Sequence, residues 1–178
     1  RGDKFELLLG TLVSGLSALG FITLASHSLG LDRFMPILQI WTIWALSAGV
    51  LSFSIQQHLI RSAGFYRNVA HALRSPETCR ITVFMMLGIA VVTMVWRVEI
   101  FGENSLVWPL IAVVIPLGCG ATSAARGLWS ERRNFRLVAL LLALENVLRV
   151  VAAAIIYPLD PSPVAFAGCI VLGFGVSF

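Results

Sequence analysis

The sequence predicts an all-α integral membrane protein built as a six-helix transmembrane bundle. Three observations lead there. Hydrophobic residues fill 58% of the 178 positions and charged residues only 12%, against about 45–50% and 25% in soluble domains. Mean hydropathy is +0.88. The charges are gathered between long apolar runs, as loops between membrane spans require.

A spanning helix needs about 20 mainly apolar residues, and six segments approach that. The first runs from Phe5 to Ala25. Gly10, Ser14 and Ala18 recur in it at four-residue intervals, thickened by Gly15, Ser17 and Gly20, a stripe that permits close helix contact or a small-residue cavity wall. The second runs from Pro36 to about Leu59. Its polar residues Gln39, Gln56, Gln57 and His58 sit near its ends, where polarity is cheap, so neither His58 nor His27 is taken as a ligand. The third is Ile81 to Trp96. The fourth, Leu106 to about Ala125, holds Pro109, Pro116, Gly118 and Gly120. Proline removes a backbone donor and kinks a helix, so these four are the hinge candidates; a rocking helix and a static kink are both open. The fifth is Leu137 to Tyr157. The sixth begins at Pro163 and is cut off at Phe178. Starting at Arg1 and stopping inside an apolar run, the chain is expected to be part of a longer one.

Lys and Arg set the expected orientation. With the N-terminus inside, the inner segments hold Arg1, Lys4, Arg61, Arg67, Arg74, Arg80, Arg126, Arg132, Arg133 and Arg136; the outer ones hold Arg33 and Arg97. Asp32, Glu99, Glu103 and Asp160 also fall outside. The cytoplasmic membrane, crossed several times with a cytoplasmic N-terminus, is the expected location. In the inner segment 61–80, Phe65, Val69, Ala72 and Leu73 fall near helical spacing among Arg67, His71 and Arg74. That pattern fits either a short amphipathic helix on anionic lipid or a solvated connector. In segment 127–135, Trp129 is an interface anchor.

The fifth span contains the residues least at home in lipid. Glu145 and Arg149 are four apart and share a helix face; Asn146 lies between them, about 100° from Glu145 around the helix. Each charge alone would cost about 2.5–3.5 kcal/mol at mid-membrane on insertion scales. Paired, they should face the bundle interior or a wet cavity. Two roles are open, a translocation pathway or an ion pair that holds helices in register. Arg149, Glu145 and Asn146 are the candidate substrate-binding residues.

Other chemistry finds little footing. There is no nucleophile elbow, Gly-rich phosphate loop or metal-like carboxylate cluster, so neither an enzyme nor a cofactor or metal is expected. Cys79, Cys119 and Cys169 have no metal or redox spacing. Topology accounts for the net charge of +4, and no basic-aromatic groove suggests nucleic acid.

Two stretches resemble a family. The segment "LLLGTLVSGLSALGFITLASHSLGLDRF", residues 7–34, resembles the opening of polysaccharide flippases of the MOP (multidrug/oligosaccharidyl-lipid/polysaccharide) exporter superfamily, with a small-residue first helix and a turn matched by Leu29, Gly30 and Phe34. The segment "ARGLWSERRNFRLVALLLALENVLRVVAAA", residues 125–154, is similar to the family's fourth-to-fifth helix connection, matched by Phe135, Glu145 and Arg149. Met35 and Pro36 stand where the family has a Gly after the turn Phe. The resemblance implies one lobe of a two-lobe transporter, with a second lobe beyond residue 178. It also implies alternating access and translocation of a lipid-linked oligosaccharide or polysaccharide precursor. Arg149 would then meet the anionic head, Glu145 would orient it, Asn146 would bind sugar hydroxyls and Pro116 with the nearby glycines would bend. The expected partners are the lipid-linked glycan, membrane lipids and glycan-synthesis enzymes. A cation-coupled small-molecule exporter of the same superfamily and a non-transporting scaffold of a glycan-synthesis complex are the alternatives.

Overall fold

In a computed structural model, residues 2–62, 65–66, 68–159 and 161–177 are described. Arg1, Arg67, Asp160 and Phe178 lie outside them. Every described element is helical: α1 (Gly2–Arg61), α2 (Val69–Leu73), α3 (Pro76–Val95), α4 (Arg97–Phe101), α5 (Val107–Glu131), α6 (Phe135–Leu159), α7 (Pro163–Leu172) and a closing 3-10 turn (Gly173–Ser177). Among the described residues, four helices are long and apolar enough to cross a membrane: α3, α5, α6 and the 57 residues of α1 from Phe5 to Arg61.

The long first helix is two arms. Gly30 has φ 71° and ψ 169°, a backbone region open essentially to glycine alone. An unbroken helix would set Phe21 and Trp41 about 30 Å apart. Instead their rings stack at 5.3 Å, so residues 31–61 fold back along residues 2–29. The sequence suggests a loop over 26–35; one glycine makes the reversal. Leu29 and Phe34 are buried beside it.

The expected sixth span is shorter than a full crossing. Its α-helix covers ten residues before the chain tightens at Gly173. The third expected span starts earlier than apolarity suggests, at Pro76. Ser75 caps it by accepting from the Thr78 N–H, with Pro76 in its first turn and Glu77 beside it, a favourable helix start. In segment 61–80 the helical part is the five residues of α2, capped by Asn68. The connection between α3 and α5 carries α4, closed by Gly102 at φ 72°.

Side-chain contacts fix the packing. Gly10 meets Ala139 and Gly20 meets Val150, so the first arm of α1 runs parallel to α6. Cys119 approaches the Trp44 carbonyl and Ser52 bonds Ser123, so the second arm runs parallel to α5. The elements therefore gather the segments carrying Arg61, Arg74, Arg80, Arg132, Arg133 and Arg136 at one end, and those carrying Arg33 and Arg97 at the other. α5 is central: its stretch from Gly118 to Ala125 is buried throughout. The outside is apolar. Leu8, Leu12, Leu16 and Leu19 line one face of the first arm, and Phe84, Leu87, Val91 and Val95 line α3, each more than half exposed. Such broad apolar exposure suits hydrocarbon rather than water.

Candidate functional site

The polar centre of the bundle is built on α6. Phe135 opens that helix, so Glu145 lies about 15 Å along its axis and Arg149 about 21 Å, near the middle of its length. Residues 145 and 149 share a face, and Asn146 stands beside them. All three are buried, and Arg149 has no exposed surface.

Arg149 uses its whole guanidinium. Nη2 donates to Glu145 Oε1 at 2.5 Å, Nη1 donates to Asn146 Oδ1 at 3.0 Å, and Nε donates to the Ile170 carbonyl at 3.3 Å. The 100° step between Glu145 and Asn146 does not separate them chemically, because the planar fork of one arginine spans both. Its faces are occupied as well. The guanidinium carbon lies 4.4 Å from the Trp44 ring centre and 5.2 Å from that of Phe174, within cation–π range. Gly173 makes room for it: a Cβ there would fall 2.8 Å from Arg149 Cγ and 2.9 Å from the Glu145 carbonyl.

Two residues join the site that the sequence reading placed elsewhere. Arg126 of α5 donates from Nη2 to Glu145 Oε2. It is counted above as an inner-loop charge, because it follows the apolar run; only its length, reaching back from the last turns of α5, brings it in. Ser14 is counted in the small-residue stripe, and its Oγ accepts from Asn146 Nδ2 at 2.8 Å. Glu145 thus sits between two arginines, and the three side chains carry a formal net charge of +1. Arg149 is sealed. Arg126 retains 13% of its side-chain exposure, and its Nε is buried with no partner among the described residues.

Known family models, curated proteins and solved structures offer no match to this chain.

The hinge candidates have distinct settings. α5 continues unbroken through Pro116, and Pro109 lies in its first turn, where a missing N–H costs little. Gly118 lies against the Phe174 ring and Gly120 against Thr82, so both are points of close approach. Among the described residues no three His, Cys, Asp or Glu side chains gather as a metal site.

Proposed function

We propose that this chain is one lobe of a membrane transporter that moves a lipid-linked oligosaccharide or polysaccharide precursor between leaflets by alternating access. The observation that carries this reading is the net-positive network of Arg126, Glu145 and Arg149 inside an apolar-surfaced bundle. Intramembrane ionisable groups are costly and mark substrate pathways by default, and a phosphate-bearing lipid carrier is an anion. The reversal at Gly30, flanked by buried Leu29 and Phe34, supports the resemblance to MOP-type flippases. In this reading the two arms of α1, then α3, α5, α6 and the shorter α7, are six passes, with the arginine-rich end cytoplasmic. Arg126 is the cation that meets the anionic head, since it keeps exposed surface where Arg149 keeps none. Glu145 holds Arg126 in place, and Arg149 with Asn146 anchors Glu145 from behind.

A second reading has its own support. Every Arg149 donor group is engaged and its surface is closed, as a purely structural tie would be. That favours a scaffold lobe of a glycan-synthesis complex.

The deciding experiment uses cells that need this gene for a surface glycan. Lipid-linked oligosaccharide is measured on each leaflet for wild type, a deletion and Arg126→Gln at matched membrane abundance. Transport predicts inner-leaflet build-up in the deletion and in Arg126→Gln. Unchanged leaflet distribution in the deletion, together with loss of synthesis enzymes from their complex, would replace transport with scaffolding.

A further inference from the structure

A second polar recess lies at the arginine-rich end, away from the buried network. It is about 640 Å³ in volume and is formed where the second arm of α1, α2 and the start of α3 meet. His58, Arg61, Tyr66, His71 and Arg74 line it, with the Phe65 ring alongside. The fold builds this lining rather than merely collecting it. His58 Nε2 lies 3.0 Å from the Tyr66 hydroxyl. The His71 ring stacks on Phe65 with centres 5.9 Å apart and meets Tyr66 edge-on at 5.5 Å. Asn68 fixes α2 by accepting from the His71 N–H, which sets the position of Arg74 one turn later.

The charge balance is one-sided. Among the described residues the sole acid on the lining, Glu77, stands 3.9 Å from His58 Nε2. Neither Arg61 nor Arg74 forms an ion pair among the described residues. Two unpaired guanidinium forks beside ring N–H and hydroxyl groups suit the oxygens of a phosphate. Phe65 is 68% exposed at the same end of the bundle, where an aromatic ring rests well at a membrane interface.

We propose that this recess binds the phosphate group of an anionic membrane lipid, with Arg61 and Arg74 holding the phosphate and Phe65 lying against the lipid's apolar part. The site is independent of the transport reading, because it shares no residue with the Arg126–Glu145–Arg149 network.

The test is native mass spectrometry on the purified full chain, titrated separately with short-chain phosphatidylglycerol, short-chain phosphatidylcholine and inorganic phosphate. The phosphatidylglycerol adduct should form at lower concentration than the phosphatidylcholine adduct. Arg61→Gln with Arg74→Gln should weaken it by about tenfold or more, the loss expected when a charge-assisted contact goes. Arg80→Gln with Arg136→Gln removes the same charge from the same end outside the recess and should leave binding unchanged. Inorganic phosphate binding as tightly as phosphatidylglycerol would keep the arginines as a phosphate site and make the ligand soluble. Equal binding of the two lipids, or equal weakening by both double variants, would overturn the proposal, since only general surface charge would then be at work.

Discussion

Removing the Glu145 carboxylate should be the most damaging single change in the bundle. Glu145→Ala leaves Arg149 charged, with no exposed surface, facing only the Asn146 and Ile170 oxygens and two aromatic rings. Taking one partner from a buried pair costs about 3–5 kcal/mol, because the other charge stays uncompensated. Arg126→Ala removes the second bond to the same carboxylate but leaves Glu145 and Arg149 balanced. A hydrogen bond to a charged group is worth about 1.5–3 kcal/mol, and Arg126 keeps some solvent access, so about 1–2 kcal/mol is expected after screening. Replacing all three with apolar residues (Glu145→Leu, Arg126→Met and Arg149→Met together) removes the stranded charge and should recover most of the loss. The assay is equilibrium unfolding in mixed micelles, followed by helical circular dichroism. Equal losses for Glu145→Ala and Arg126→Ala would refute the reasoning. So would a triple variant no more stable than Glu145→Ala, because the damage would then not come from an unpaired Arg149.

Three smaller effects are expected in the same unfolding assay. Gly118→Ala should cost about 1–3 kcal/mol, the usual range for overpacking, because its methyl would enter the Phe174 ring. Gly30→Ala should cost about 1–3 kcal/mol through backbone strain at φ 71°; Gly49→Ala, where a methyl meets open space, should cost nothing and serves as its control. Ser14→Ala should lose about 0.6 kcal/mol and no more than about 1.7, the range of interhelical hydrogen bonds measured in membranes; a larger loss would mean that Asn146 has no second partner to turn to.

The sequence exposes what hydropathy and helical spacing encode. The Glu145–Arg149 pair follows from an i, i+4 spacing inside an apolar run, and the structure closes it. Gln56, Gln57 and His58 lie in the last two turns of the second arm, as read, whereas Gln39 sits about two turns inside it, because the arm starts at Leu31 rather than Pro36. Contacts decided by reach and angle are hidden. Arg126 looks like a loop residue because apolarity stops at Ala125, yet α5 continues to Glu131 and its side chain reaches back toward the interior. Hydropathy likewise places the start of α3 at Ile81, where apolarity begins. The helix starts at Pro76, because Ser75, Pro76 and Glu77 cap it in the polar region before the apolar run. Hydropathy also leaves ten residues, 26–35, between the first two spans. Pro36 suggests a helix start, but a single residue at Gly30 reverses the chain, and no loop is needed once glycine supplies the backbone angles.

Under the transport proposal, the hydrogen bonds around α6 constrain how these helices could move. Asn146 holds Ser14 of the first arm, Glu145 holds Arg126 of α5, and Arg149 holds the Ile170 carbonyl of α7. One helix therefore ties three other segments together at mid-depth, through groups that, Arg126 apart, are buried. Gly10 meets the Ala139 backbone, and Gly127 meets Leu59 and Gln56, so the contacts toward the arginine-rich end are also close and leave little room to slide. Bending α5 near Pro116 would have to lift Gly118 off Phe174, whose ring also covers Arg149. An opening motion inside the lobe thus exposes a charge, whereas a rotation of the whole lobe exposes none. For the transport reading proposed above, this favours rigid-body rocking over bending within the bundle, with the network as the clamp between these helices and Arg126 as its accessible edge.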